Sequence, residues 1–188
     1  MDGVVFNYYG QFQKEWMIRH PDHPIIPGNE LKDFYIENAY GAEHKEEILQ
    51  ITRSTSFFEN LEPNEGAIEA LQSILADERF DPALCSAPDL DYQNQHCPSE
   101  KYRSIERHLG REWLERTILT KDKTKVRGNY LIDDKPTIKG SMNPHWMHVV
   151  FTHRYNEHLD GLRLNGWKDW PRLRDQILYL ETPDTTIA

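Results

Sequence analysis

Cysteine is scarce in this chain. Only Cys85 and Cys97 occur in 188 residues, too few for a disulfide framework, so both read as ordinary thiols of a reducing, cytoplasmic setting. Basic charge is also in short supply. Lys and Arg number 22 against 31 Asp and Glu, a formal charge of −9. Such a surface argues against tracking a nucleic-acid polymer, whose phosphate backbone needs a basic stripe. It leaves room for a small phosphate ligand, which needs only a few local cations. No apolar run approaches the roughly 20 residues of a membrane span, and none is expected. Met1–Tyr9 has no basic start and turns polar at once, unlike a signal peptide. No glycine-rich phosphate loop occurs, so neither ATP nor NAD is expected. Repeats and low-complexity blocks are missing too, which suits a single domain with a small inserted lobe.

Four short apolar runs are present: Ala83-Leu84-Cys85, Thr117-Ile118-Leu119, Tyr130-Leu131-Ile132 and His148-Val149-Val150-Phe151. Each is continuous rather than alternating, the pattern of a strand buried on both faces. Helical patterns lie between them. Ile68, Leu71 and Leu75 form one apolar stripe in Glu65–Ala76. Cys97-Pro98-Ser99-Glu100 reads as a helix start, with Gly110 as its stop. Trp167, Trp170, Leu173, Ile177 and Leu178 suggest a last amphipathic helix, and the polar tail Glu181–Ala188 should fray. Strands alternating with helices imply an α/β fold with a parallel sheet, which binds ligands at the carboxyl ends of its strands. Ser86, Lys123, Asp133 and Asp134 fall there. Residues 11–62 are helix-prone, rich in aromatics and without a clear strand. They read as a small helical cap, leaving 1–10 and 63–188 as the core.

Asp133-Asp134 ends an apolar run. Adjacent carboxylates repel unless a cation neutralises them, and a pair of hard oxygen ligands suits Mg²⁺. A turn with a helix cap is the plainer alternative. Lys123 could neutralise phosphate or belong to a solvated charge cluster. Ser86 could hold a phosphate oxygen or serve an ordinary Ser-Ala-Pro loop. His145, His148, His153 and His158 do not follow a zinc-ligand spacing, and Trp167-x-x-Trp170 reads as helix packing.

In order, Asp2-Gly3-Val4, Cys85-Ser86-Ala87-Pro88, Leu119-Thr120-Lys121-Asp122-Lys123-Thr124 and Leu131-Ile132-Asp133-Asp134 resemble the four motifs of the haloacid-dehalogenase superfamily. Phe57-Phe58, Leu61-Glu62-Pro63, Cys97-Pro98-x-Glu100-Lys101-Tyr102 and Trp146-x-His148-Val149-x-Phe151-Thr152 narrow the resemblance to the 5'(3')-deoxyribonucleotidases. The resemblance implies a Rossmann-like parallel sheet with a helical cap after the first motif. It implies Mg²⁺-dependent hydrolysis of nucleoside monophosphates through an aspartyl-phosphate, and a homodimer as the protein assembly. Asp2 matches the general acid and base, with its carbonyl toward the metal. Ser86 and Lys123 match the phosphate-holding hydroxyl and lysine, and Asp133 and Asp134 the metal carboxylates. Tyr8, Phe34, Tyr35 and Phe58 match an aromatic substrate pocket, with Lys101 and Lys121 as basic positions lining it. Ala87 and Tyr8 depart from the hydroxyl residue and the Phe usual there. A larger departure concerns the first motif, Asp-x-Asp-Gly. The sequence starts at the Met between its two aspartates, so the nucleophile and the strand leading to it are not among the 188 residues. A start assigned at that Met, a natural truncation that binds without turnover, and a different chemistry are the three readings.

Overall fold

The computed structural model describes residues 1–89, 91 and 94–182. The end of the tail expected to fray, 183–188, lies outside the described residues. Five short strands and seven α-helices carry the fold among the described residues. The chain opens in a tight turn, in which the Met1 carbonyl accepts hydrogen bonds from the Val4, Val5 and Phe6 N–H groups at 3.2, 2.7 and 3.1 Å. Helix α1 (Tyr8–Arg19) follows at once, capped by the Asn7 side chain, which accepts from Gly10 N at 2.8 Å. Helices α2 (Ile36–Tyr40) and α3 (Lys45–Thr52) complete a segment without a strand. Phe12 and Trp16 of α1 and Ile48 and Ile51 of α3 are wholly or almost wholly buried and join the main apolar cluster of the molecule.

Helix α4 (Ala67–Ala76) leads to β1 (Leu84–Ser86). The buried stripe of α4 is Ala67, Ala70, Leu71 and Ile74. Ile68 and Leu75 of the expected stripe sit at its margin, partly buried. Helix α5 (Cys97–Leu109) begins with Pro98 in its first turn and stops at Gly110, which adopts φ 93°. Helix α6 (Glu112–Glu115) precedes β2 (Thr117–Leu119), and β3 (Tyr130–Asp133), β4 (Met147–Phe151), β5 (Leu162–Leu164) and α7 (Trp170–Glu181) follow.

All strand pairs are parallel, as expected of βαβ order, but they form two sheets rather than one. In the first, β1 pairs with β2, setting Ser86 beside Leu119. In the second the order is β3-β4-β5, with Asp133 beside Val150 and Val149 beside Leu162. Among the described residues no strand joins β1 to β3. The amino terminus lies between them. Its charge acts on Cys85 of β1 and on Asp133 at the end of β3. The strands are therefore less buried than their continuous apolar runs suggest. Ile118 on β2 is 39% exposed, and β3 is half-buried until Asp133. A strand is covered on both faces only inside a continuous, helix-flanked sheet, and β2 is an edge. Trp167 and Trp170 are buried as packing residues, Trp167 also donating from Nε1 to the Val4 carbonyl at 2.8 Å. Cys85 and Cys97 are free thiols. Among the described residues no helix is long and apolar enough to cross a membrane.

Candidate active site

The opening turn is pinned from three sides. Asn64 Nδ2 donates to the Val4 carbonyl at 2.7 Å, Trp167 Nε1 donates to the same oxygen, and His153 Nε2 lies 2.7 Å from the Gly3 carbonyl. Gly3 itself adopts φ 73°, and a Cβ there would collide with the Asp134 carboxylate. Only glycine meets both demands without strain. The Asp134 carboxylate thus packs against the opening turn at the one residue small enough to allow it.

Asp2 accepts a hydrogen bond on Oδ2 from the Lys101 ammonium, which is itself fully buried. Its Oδ1 is buried and has no hydrogen-bond partner. Asp133 accepts from Lys123 on Oδ2 and from the Lys135 N–H on Oδ1 at 3.0 Å. Burial by itself would raise the Asp133 carboxyl. The Lys123 charge outweighs it and holds the group below its ordinary value. Burial likewise works against the Lys123 ammonium, yet Asp133 keeps it above its usual range. Asp134 goes the other way: burial, then the Asp133 charge, push it up, although the Tyr155 hydroxyl donates to its Oδ2 at 2.5 Å. The Asp133 carbonyl meets His148 Nε2 at 3.0 Å, and Asn156 Nδ2 donates to the Asp134 carbonyl at 2.8 Å.

Two aromatic groups flank the turn. Tyr8, Phe57 and Phe58 pack with ring centroids 5.2–6.0 Å apart, and the Lys101 ammonium sits 4.3 Å from the Phe58 centroid. On the other side Phe34 packs edge-on against Tyr35 and Tyr155, and Lys135 lies 5.4 Å from the Phe34 ring. Burial raises the Tyr8 hydroxyl well above its ordinary value, keeping it a neutral donor.

The structure therefore brings Asp2, Lys123, Asp133 and Asp134 to one place, around the amino terminus. Ser86, 2% exposed, ends β1 close by, one residue beyond Cys85, which feels Lys123, the amino terminus and Asp133. Tyr8 and Phe58 share one aromatic flank, Phe34 and Tyr35 the other. Lys121 stands apart: it is exposed, and its charge acts on Asp89. Sequence reasoning missed Tyr155, Lys135 and Phe57. Lys135 follows the Asp-Asp pair directly and could have been found there. Tyr155 sits 21 residues beyond Asp134 with no local signal. Among the described residues no three His, Cys, Asp or Glu side chains are gathered tightly enough to hold an ion as placed. A cleft of about 630 Å³ lined by Ile26, Asn29, Glu30, Lys32, Ala39 and Arg154 contains none of these motif residues. Its walls offer no buried carboxylate or strand end, so the motif cluster remains the candidate site.

Parallel strands flanked by helices, with Ser86 and the Asp133-Asp134 pair at their carboxyl ends, Lys123 in the turn after β2 and Asp2 in the opening turn, define an α/β protein of the haloacid-dehalogenase type. Residues 1–178 match the family described as 5' nucleotidase, deoxy (pyrimidine), cytosolic type C, and the chain belongs to that family. It is 38% identical over 179 residues to a Bordetella bronchiseptica protein named "Putative 5'(3')-deoxyribonucleotidase", covering 95% of this chain and 94% of the relative. The human "5'(3')-deoxyribonucleotidase, mitochondrial" is 36% identical over 93% of this chain and 80% of its own length. The human "5'(3')-deoxyribonucleotidase, cytosolic type" is 36% identical over 93% and 90%.

Proposed function

We propose that this protein hydrolyses the phosphomonoester of nucleoside monophosphates, deoxyribonucleotides in preference to ribonucleotides. The observation that carries the reading is the convergence of Asp2, Lys123, Asp133 and Asp134 on one buried spot in a chain that matches the nucleotidase family over residues 1–178. Lys123 neutralises the phosphoryl oxygens, and the Ser86 hydroxyl holds one of them. Asp2 donates a proton from its carboxyl to the departing alkoxide and later takes one from the attacking water. Lys101 holds Oδ2 of Asp2 in place and leaves Oδ1 as the oxygen available for that transfer. A covalent aspartyl-phosphate route would need a nucleophilic carboxylate besides Asp2.

The donor chemistry fits Mg²⁺. The oxygens at hand are hard, Asp2 Oδ1 is buried without a partner, and the Asp134 carboxyl is pushed up by burial beside Asp133, a strain that a cation relieves. Asp133, Asp134 and the Asp2 carbonyl would hold the ion with several waters. When bound, it supplies charge neutralisation on the transferring phosphoryl group.

The two aromatic flanks form the nucleoside pocket, with residues 11–62 as a cap carrying Phe34, Tyr35 and Phe58 and with Tyr8 at its edge. Lys101 backs the Phe58 side. Apolar walls leave a 2'-hydroxyl without a partner, at a cost of about 1–3 kcal/mol, which favours the deoxy sugar. A cytoplasmic site of action suits the two free thiols, and a second copy of the chain is the protein partner to seek by sedimentation.

The test is inorganic phosphate release, with Mg²⁺, by the protein from its native source. The panel holds 5'- and 3'-monophosphates of deoxyribo- and ribonucleosides, with sugar phosphates as controls. Release from the deoxyribonucleotides first supports the reading. Release only from sugar phosphates moves the substrate class, and tight nucleotide binding without release makes the protein a nucleotide-binding relative.

A further inference from the structure

We infer that Glu100 is the positioning residue that sets the Lys101–Asp2 pair; this rests on the functional reading above. Glu100 is 0% exposed, a costly place for a carboxylate unless its oxygens are engaged. They are engaged by backbone 42 to 44 residues away: Ser56 N donates to Oε1 at 2.5 Å and Phe58 N to Oε2 at 3.1 Å. His96 Nε2, from the residue just before the helix, lies 3.7 Å from Oε1.

The clamped turn is under strain. Among the described residues Ser56 is the single non-glycine residue with positive φ, at 70°, a conformation that must be imposed by its surroundings. Outer contacts on the same helix face secure the turn's far end, where Arg103 and Arg107 donate to Glu59 at 2.6 and 3.1 Å. Two residues after Ser56 comes Phe58, whose ring lies 4.3 Å from the Lys101 ammonium. Lys101 follows Glu100 directly and donates to Asp2. One turn of helix α5 thus holds the Phe58 loop with one side chain and the proton-transfer carboxylate with the next. The ring screens the ammonium from water, and the carboxylate fixes the ring.

The experiment compares wild type with Glu100→Gln, Glu100→Asp and the double variant Ser56→Gly/Glu100→Gln. Each is scored by amide exchange at Ser56 and Phe58, by amine labelling of Lys101, and by kcat and KM for a deoxyribonucleoside monophosphate. Glutamine accepts only one of the two N–H bonds, and losing a charged acceptor corresponds to at least about a tenfold change. Lys101 labelling should therefore rise about tenfold in Glu100→Gln, and kcat should fall by a similar factor. Glu100→Asp, which keeps the charge but is too short for both N–H groups, should show a smaller rise. It also serves if the glutamine variant does not fold. Glycine accepts the positive φ unaided, so Ser56→Gly should restore part of both losses. Unchanged Lys101 labelling in a folded Glu100 variant overturns the inference, as does a loss of melting temperature with kcat unaltered. Wild-type protein that turns over no nucleoside monophosphate sinks the functional reading instead, and the labelling still decides on Glu100.

Discussion

Replacing Lys101 with Met tests the most unusual feature of the site, a lysine with no exposed side-chain surface. Lysine is almost never fully buried unless paired, and here its partner is Asp2, whose side chain is 24% exposed. Breaking a fully buried pair costs about 3–5 kcal/mol, and a surface pair about 0–1. The partial exposure of Asp2 places this pair between the two, near 2 kcal/mol. Loss of the contact with the Phe58 ring adds about 1 kcal/mol, and the apolar Met side chain returns a similar amount by burial. Lys101→Met should therefore destabilise the protein by about 2 kcal/mol. Urea unfolding should show a lower midpoint with an unchanged slope. Asp2→Asn/Lys101→Met should recover most of the loss, since no unpaired charge remains, so the double-mutant cycle should give a coupling of at least about 1 kcal/mol. A midpoint equal to wild type, or strictly additive single and double variants, would refute the pairing.

Other outcomes follow from the same geometry. Gly3→Ala should destabilise by at least about 1–3 kcal/mol, because alanine at positive φ is strained and its Cβ meets Asp134; urea unfolding checks it. Lys123→Met should lower phosphate release by about 10²–10³-fold, the scale of losing one charge-stabilising donor, while a phosphate-release assay with saturating Mg²⁺ reads the effect. Asp122 accepts from the Thr124 hydroxyl and, in the 136–142 loop, from Ser141, and these bonds hold its carboxyl far below the ordinary value. A depressed carboxyl stabilises the fold above its unfolded value, near pH 3.9, and loses that effect as the pH falls toward its folded value. The melting-temperature gap between wild type and Asp122→Asn should accordingly be level from about pH 5 to 8 and close below about pH 4.

Much of this was legible in the residues. Thr117-Ile118-Leu119 is a strand with those bounds, and the runs at Tyr130 and His148 are strands to within one residue at either end, because continuous apolar segments ending in charge have few other homes. Strand β5 was not visible: Leu162-Arg163-Leu164 is three residues long with an arginine in the middle, and that arginine is there to donate to the Asn156 and Leu159 carbonyls. The division into two sheets was not expected, since apolar runs say which segments are strands and not which edges meet. In the site, Asp133 and Asp134 announced themselves at the end of a strand, and Lys123 in the turn after one. Tyr155 and Glu100 did not, since each acts on groups 21 to 44 residues away and looks, locally, like any surface residue. Lys101 was read as a lysine lining the pocket; its full burial against Asp2 depends on Phe58, 43 positions earlier in the chain, and no helical periodicity encodes that.

The central claim is that this buried cluster removes phosphate from nucleotides. Its most direct test is the rate of phosphate release from deoxyribonucleoside monophosphates, with Mg²⁺ present, by wild type and by Lys123→Met. The account predicts release that falls about 10²–10³-fold in Lys123→Met. Release at the wild-type rate in Lys123→Met, or no release from any deoxyribonucleoside monophosphate, would contradict it.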